Sequence, residues 1–218
     1  MQIIIVLCVG LLMWVGPADA QQQPFSLTVG IHTAVDPDYK NKIDKILEAA
    51  SKALEQCNVT IERKGDFGGF GSPNGNGEIT GPGERDAVHR ENFDIKVVKS
   101  IGFCRGAATG LGGLGGIFGC SWDPLPNKLP ETPQRKSIIV AETKTNELAI
   151  EFAGKVWAHE FGHFKGLPHR DEPNALMVTC EVGEPQNKEI NSAECSCVRG
   201  DRCDLPDSGP PHCDRPRP

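Results

Sequence analysis

The sequence predicts an α+β fold with a twisted mixed sheet, two main helices and an irregular C-terminal part. The first two thirds of the chain contain several short segments typical of strands and one helical segment, and from Glu147 the pattern becomes helical. Glycine and proline account for 25 and 17 of the 218 residues, which indicates many turns around a modest regular core. With 38% hydrophobic and 24% charged residues, the composition is that of a globular protein.

The charge balance narrows the classes of partner. The chain carries 29 Asp+Glu against 23 Lys+Arg, a net charge of −6, so we expect no nucleic acid bound to a basic face. Collagen-like and coiled-coil proteins are excluded by the composition.

The first predicted strand and helix adjoin. Residues 25–35 alternate apolar and polar side chains, which predicts a strand. Asp36 and Pro37 then suit the N-cap and the first position of a helix. Apolar residues fall on one face of that helix: Ile43, Ile46, Leu47, Ala50 and Leu54.

Three further strands and two irregular stretches complete the predicted sheet. We predict strands at Val59–Arg63, at residues 93–101 and at Ser137–Ala141, the last buried on both faces. Residues 65–84 are too polar and glycine-rich to form ordered elements, and the glycine-rich residues 110–122 are placed at a sheet edge.

The last third is predicted to be helical. A long helix runs from Glu147 to Gly166, where glycine suits a left-handed helix end. A weaker helical segment covers residues 184–194, and a Cys/Pro-rich tail covers residues 198–218. The predicted catalytic domain therefore spans residues 21–197.

The N-terminus indicates export. An apolar run from Ile3 to Val15 precedes Ala18-Asp19-Ala20, which predicts a signal peptide over residues 1–20. The alternative is a membrane anchor, but the run is shorter than the roughly 20 residues that span a bilayer, and no second run follows. We therefore expect a secreted, extracellular protein that has no membrane partner.

Cysteine usage agrees with export. Of nine cysteines, eight follow Ala20, and an even number in an exported chain predicts disulfides. Eight cysteines allow 105 pairings, and the spacing does not choose among them.

One constellation carries chemistry. In His159-Glu160-Phe161-Gly162-His163 the two imidazoles are four residues apart on one helix face, and His169 returns after Gly166 as a third ligand. Three neutral imidazoles hold one catalytic Zn²⁺ and leave a position for water, whose pKa falls to about 7. Glu160 is the predicted general base, and it passes the proton to the leaving amine.

The alternatives for single residues are structural. A lone histidine is usually a surface residue or a satisfied core residue, and we predict that His32, His89 and His212 are solvated. The eleven-residue pattern from His159 to His169, which fixes His159, Glu160, His163, Gly166 and His169, would arise by chance in about one of ten thousand chains of this size. Trp157 and Phe161 are predicted to be core residues behind the metal helix.

The histidine pattern followed by Met177 resembles the metzincin signature of zinc metallopeptidases. Within that clan the stretch from His159 to Met177, including Gly166-Leu167 and Ala175-Leu176-Met177, is most similar to the matrixin (matrix metalloproteinase) catalytic domain. Residues 93–98 and 113–120 resemble that family's third strand and edge strand. The resemblance implies a metzincin fold with an active-site helix, an edge strand over the cleft, a Met-turn and a C-terminal helix.

The same resemblance implies roles for individual residues. His159, His163 and His169 would be the zinc ligands, Glu160 the base and Met177 the residue beneath the metal. Substrate would bind by strand addition to Phe118 and Gly119, and Val178 and Thr179 would line the S1′ pocket. The expected substrate is a protein or peptide.

Two positions depart from the family. Matrixins hold a structural zinc with histidines where this chain has Cys104 and Cys120, so we hypothesise that a disulfide between these cysteines clamps the same loop. Lys165 stands where the family has an apolar residue.

Other functions remain as alternatives. Arg199-Gly200-Asp201 between Cys197 and Cys203 resembles an integrin-binding loop, which would suit a secreted binding protein with a vestigial zinc site. A zinc-stabilised structural module is disfavoured, because structural zinc sites usually have four protein ligands, most of them cysteines. Asn58-Val59-Thr60 is a glycosylation sequon. Asn74, Asn76 and Glu78 could offer oxygens to Ca²⁺, but their spacing matches no known calcium loop, and a surface loop is preferred.

Overall fold

A computed structural model describes residues 23–72, 74–104, 118–122, 136–143, 146–170, 172, 174–178, 188–200, 203 and 205. The predicted signal peptide lies outside these residues, as do most of the tail, residues 179–187 and residues 105–117 of the glycine-rich stretch. Among the described helices, none combines the length and apolar character that crossing a bilayer requires.

The elements alternate strands and helices in the order of the chain. They are β1 (Gln23–Leu27), β2 (Val29–His32), α1 (Pro37–Lys40), α2 (Ile43–Leu54), β3 (Val59–Arg63), β4 (Gly68–Phe70), β5 (Glu78–Ile79), α3 (Pro82–Arg90), β6 (Ile95–Val98), β7 (Ser100–Ile101), β8 (Gly119–Trp122), β9 (Ser137–Ala141), α4 (Glu147–Phe164) and α5 (Ser192–Arg199). A short 3₁₀ helix covers Glu55–Cys57. The α+β prediction is confirmed at this level.

The main sheet has five strands in the order β4-β2-β6-β9-β8. Strands β4, β2, β6 and β9 are parallel, and β8 runs antiparallel to β9 at one edge. The mixed sheet is therefore confirmed, and β8 places the described end of the glycine-rich stretch at a sheet edge. Two separate parallel pairs, β1 with β3 and β5 with β7, flank it.

Two predicted strands are each divided. Residues 25–35 form β1 and β2, because the Thr28 N–H and hydroxyl both donate to the Asp94 carboxylate, at 2.8 and 2.7 Å, and the chain changes partner strand there. Residues 93–101 likewise form β6 and β7, which pair with different strands. By contrast, β3 and β9 have the predicted bounds.

The prediction that residues 65–84 lack ordered elements was wrong. Strand β4 pairs with β2, β5 pairs with β7, and α3 begins at Pro82. Packing explains why this segment is ordered. The Phe93 ring covers both Gly30 and Gly68, and a Cβ at either glycine would lie within 2.2 Å of that ring. The glycines allow the ring to cross two strands, which local sequence does not reveal.

The helical predictions are confirmed in part. Asp36 caps α1 by accepting from the Asp38 N–H, but a break at Asn41 and Lys42 separates α1 from α2. Helix α4 begins after Asn146, whose side chain accepts from the Ala149 N–H. Of the segment predicted to be helical from 184 to 194, residues 184–187 lie outside the described part, residues 188–191 are not helical, and α5 begins at Ser192 and continues across the proposed boundary at residue 197.

The core lies between α2, α4 and the sheet. Trp157 and Phe161 are fully buried in it, as predicted. Gly154 permits the close approach of α4 to α2, since a Cβ there would lie 2.4 Å from the Ala49 Cβ. Helix α4 is therefore fixed along its inner face before it reaches the histidines.

Candidate metal centre

Helix α4 supplies the first two histidines from adjacent turns. It ends at Phe164, and Gly166 then adopts a positive φ of 95°, the predicted left-handed helix end. Hydrogen bonds from the Leu167 N–H to the Gly162 carbonyl (2.9 Å) and from the Gly166 N–H to the His163 carbonyl (2.9 Å) close this turn. The reversal brings His169 back beside the helix.

The three imidazoles converge through one nitrogen each. His163 Nε2 lies 3.0 Å from both His159 Nε2 and His169 Nε2. Tetrahedral zinc with Zn–N bonds of about 2.0–2.1 Å separates its nitrogens by about 3.3 Å, so the spacing fits one ion. Within the described part of the chain, these are the residues that form such a group.

The other ring nitrogens are held by backbone carbonyls. His159 Nδ1 donates to the Leu176 carbonyl at 2.8 Å, and His163 Nδ1 donates to the Leu167 carbonyl at 2.7 Å. Because a carbonyl only accepts, this arrangement leaves Nε2 of each neutral ring with a lone pair toward the centre. Burial, and then the neighbouring His169, lower the pKa of His159 to about 3, which keeps that ring neutral.

Glu160, which follows His159 on α4, is buried. Burial raises the pKa of its carboxyl to about 7, and hydrogen bonds from the side chain and backbone N–H of Ser121 oppose the rise. Its Oε2 atom is buried and has no hydrogen-bond partner among the described residues. A buried carboxylate oxygen without a partner fits a site that takes up a further polar group.

Met177 lies beneath the metal helix and is 1% exposed. A Cβ at Gly162 would lie 2.4 Å from Met177 Sδ, so only glycine at this helical position allows the contact. Gly162, the glycine within the histidine motif, therefore allows α4 to pack closely against Met177.

The edge strand β8 contacts Glu160 directly. A Cβ at Gly119 would lie 2.5 Å from Glu160 Oε1, and Ser121, two residues on, bonds the same carboxylate. Residues two apart on a strand share a face, so Gly119 and Ser121 together seat the carboxylate. Sequence reasoning missed Ser121, and the signal that could have found it is this alternation from Gly119.

Gly119→Ala should lower kcat about 100-fold for the peptide hydrolysis that we propose below, because the added methyl displaces the Glu160 carboxylate, and displacements near 1 Å carry losses of that size. Steady-state kinetics on a fluorogenic peptide measure the effect. Gly69→Ala is the matched control, since Gly69 lies in the opposite edge strand β4 and nothing is within 4 Å of its added Cβ. Equal kcat values for the two variants would contradict the role of Gly119.

The residues that the sequence predicts to bind substrate are described only in part. The Phe118 carbonyl accepts from the Ala141 N–H at 2.9 Å, so this group belongs to the sheet and is not available to a substrate strand. The Phe118 ring packs edge-on against Phe152 of α4, with ring centroids 4.9 Å apart. Val178 is buried directly after Met177, and Thr179 lies outside the described residues.

Two histidines predicted to be solvated are shielded by tertiary packing, His32 completely and His89 in part. His32 is 1% exposed, and its ring bonds the Asn74 carbonyl (2.9 Å) and the Ala34 N–H (3.0 Å). His89 Nδ1 lies 2.7 Å from Ser137 Oγ, and burial lowers the pKa of His89 to about 3. Tertiary packing closes over both rings, so the surface prediction was wrong; His212 lies outside the described residues.

The disulfide hypothesis is confirmed. Cys104 bonds Cys120, which joins the segment after β7 to the edge strand β8. Cys57–Cys195 and Cys197–Cys203 are also formed among the described residues, while Cys180 and Cys213 lie outside them.

Lys165, the second departure from the family, stacks on an aromatic ring. Its Nζ lies 4.1 Å from the centroid of Phe25, and burial lowers the pKa of Lys165. The methylene stem and the cation–π contact account for a lysine at a position that suits an apolar residue.

The residues considered as calcium ligands, Asn74, Asn76 and Glu78, form hydrogen bonds within their own loop. Asn74 donates its amide to the Glu78 carbonyl and to Glu84 Oε1, and its own side-chain oxygen accepts from the Gly77 N–H. Asn76 bonds Glu78 through both its amide and its oxygen. These side chains close the loop on itself, in keeping with the surface-loop alternative.

The Arg-Gly-Asp segment begins at the end of α5. Cys197 and Cys203 pair locally, as an integrin-binding loop requires. The Arg199 guanidinium donates to Ser196 Oγ (3.2 Å) and to the Cys57 carbonyl (3.5 Å), and Asp201 lies outside the described residues.

Comparison with known proteins gives likeness to solved structures. No family model and no curated protein matches the sequence. The archaemetzincin from Methanopyrus kandleri is 16% identical with a TM-score of 0.45, over 85% of this chain and 89% of that one. Metalloproteinase-II from Bacteroides fragilis is 13% identical with a TM-score of 0.47, over 84% of this chain and 54% of that one, so the chain spans about half its length. Both likenesses concern a mixed α and β fold, and the functional conclusion depends on the three-histidine geometry.

Proposed function

We propose that this chain is a secreted zinc-dependent endopeptidase that hydrolyses peptide bonds in proteins or peptides. The observation that carries the proposal is the convergence of three imidazole nitrogens, with His163 Nε2 3.0 Å from the other two, on a helix where the buried Glu160 directly follows His159. A structural zinc site needs no such neighbouring base and is usually closed by a fourth protein ligand.

His159, His163 and His169 are the proposed ligands. A zinc ion held by these residues would supply Lewis-acid chemistry toward a peptide carbonyl and would lower the pKa of a water to about 7. The carbonyls of Leu176 and Leu167 orient the first two rings, so the ligand set is arranged in advance by backbone that packs in the core.

Glu160 is the proposed general base and acid. Its carboxylate takes the proton of the attacking water and delivers it to the leaving amine nitrogen as the C–N bond breaks. Ser121 and Gly119 hold the carboxylate from the side of the edge strand, and its buried Oε2 remains available for this proton.

The proposed substrate binds as an extra strand on β8. The Phe118 carbonyl bonds Ala141 within the sheet, and backbone groups alternate along an edge strand, so the backbone of Gly119 and the carbonyl of Ser121 face the open side, while the Ser121 N–H donates to Glu160. Main-chain recognition of this kind suits a peptide of varied sequence. Val178 and Thr179, after Met177, remain the proposed wall of the S1′ pocket.

Export is supported by the disulfides. Three are formed among the described residues, and such bonds persist in oxidising compartments outside the cytosol. The apolar N-terminal run supplies the proposed signal peptide.

The pairing of Cys197 with Cys203 favours the integrin-binding alternative, but the hydrogen bonds of Arg199 disfavour it. The bonds of Arg199 to Ser196 and to the Cys57 carbonyl hold its guanidinium against α5 rather than at a loop tip. We therefore favour the peptidase.

Metal removal tests the proposal. Treating the purified protein with a chelator should abolish cleavage of a denatured protein substrate, and one equivalent of Zn²⁺ per chain should restore it. Metal analysis of the untreated protein measures the bound ion. Cleavage that persists in the metal-free protein, or zinc-loaded protein that cleaves none of a broad panel of peptides, would overturn the proposal.

A further inference from the structure

A carboxylate of the C-terminal helix reaches the metal-site loop. Glu194 lies in α5, its side chain is 3% exposed, and its Oε2 lies 3.0 Å from Nη1 of Arg170. Arg170 directly follows His169, the third converging histidine. Glu194 is therefore distant from His169 along the chain, but it is paired with the residue that directly follows His169.

Arg170 is also fixed to the Met-turn by its backbone. Its N–H donates to the Met177 carbonyl at 2.7 Å, and it forms an isolated parallel bridge with Val178. The segment that carries His169 and the segment that carries Met177 therefore move together at this point.

Glu194 has a rigid support. It takes part in a capping box with Asn191, in which its carboxylate accepts from the Asn191 N–H and its own N–H donates to Asn191 Oδ1. The next residue, Cys195, is bonded to Cys57 at the end of the 3₁₀ helix that follows α2. Helix α2 packs along α4, which carries the other two histidines.

A second glutamate provides an internal comparison. Glu172 Oε2 lies 3.0 Å from Nε of the same Arg170, but its side chain is 60% exposed and belongs to the same loop. An exposed pair within one loop contributes little and restrains only that loop. The buried pair joins the loop to a separate element that is bonded into the core.

We propose that Arg170 and Glu194 are positioning residues that hold His169 in the geometry for metal binding. The inference rests on the proposed function, since it assumes that the three histidines bind zinc. Residues that orient metal ligands without touching the metal commonly change its affinity by 10–100-fold when replaced. The C-terminal helix, through this pair, then sets how tightly the ion is held.

The test compares Arg170→Gln, Glu194→Gln and Glu172→Gln in the full chain. Zinc affinity is measured by competition with a chromophoric chelator. We expect the first two variants to bind Zn²⁺ about 10–100-fold more weakly than the wild type and Glu172→Gln to stay within about twofold. Equal affinities for Glu194→Gln and Glu172→Gln would overturn the inference.

Two further measurements separate positioning from folding. Arg170→Gln leaves the capping box of α5 intact, and the titrated zinc stoichiometry counts the folded molecules in each sample. The double variant Arg170→Gln with Glu194→Gln should lose no more affinity than Arg170→Gln alone, because that variant already removes the Arg170–Glu194 pair, whereas additive losses would contradict the inference. The visible absorption of the Co²⁺-loaded proteins should change in Arg170→Gln and Glu194→Gln but not in Glu172→Gln.

The two proposals fail in distinguishable ways. A wild type that binds no zinc overturns the proposed function and this inference with it. A wild type that binds one zinc and cleaves peptides, with unchanged affinity in Arg170→Gln and Glu194→Gln, overturns the positioning role alone.

Discussion

Glu160→Gln should lower kcat for peptide hydrolysis by about 10²–10⁴-fold while zinc still binds. The amide keeps the shape of the side chain between Gly119 and Ser121 but cannot take a proton from water. Steady-state kinetics on a fluorogenic peptide and metal analysis of the same sample measure the two quantities.

The control for this variant lies on the same helix. Glu151 is exposed on α4, two turns before the histidines, so Glu151→Gln changes the same functional group far from the centre and should keep wild-type kcat. If Glu160→Gln retained more than about a tenth of the activity with zinc bound, a different group would have to move the proton.

Removing the Cys57–Cys195 disulfide should cost more stability than any other change among the described cysteine pairs. It closes a loop with a sequence separation of 138 residues, for which the chain-entropy model gives about 5 kcal/mol of the free energy of unfolding. Since domains of this size are stable by about 5–15 kcal/mol, Cys57→Ser with Cys195→Ser should unfold at much lower denaturant. Equilibrium unfolding in urea measures the difference.

The second disulfide is the matched comparison. Cys104 and Cys120 are separated by only 16 residues, and the same model gives about 3 kcal/mol for their loop. Paired serine substitutions at these positions should therefore shift the unfolding midpoint less. An equal or larger loss from Cys104 and Cys120 would show that local clamping of β8, rather than loop length, dominates.

The candidate metal site could be predicted from sequence because its spacing is local. Two histidines four residues apart share a helix face wherever that helix lies, and Gly166 marks the turn that returns His169. The helix itself is equally local, since Asn146 caps it and apolar spacing continues to the histidines.

Partners distant along the chain were less accessible to sequence. The disulfide between Cys104 and Cys120 could be hypothesised only through a family resemblance. The burial of His32 and His89 was missed, because it depends on which segments close over each ring.

The sequence by itself determined the candidate metal-ligand set, the glutamate within that motif, and the strand and helix segments whose periodicity is unbroken. Only the tertiary structure decided where β2 leaves β1 at Thr28, that Ser121 meets Glu160, and that Glu194 reaches Arg170. The physical reason is range: helix faces and caps follow from neighbours within four residues, whereas these contacts join segments that approach only once the core has packed.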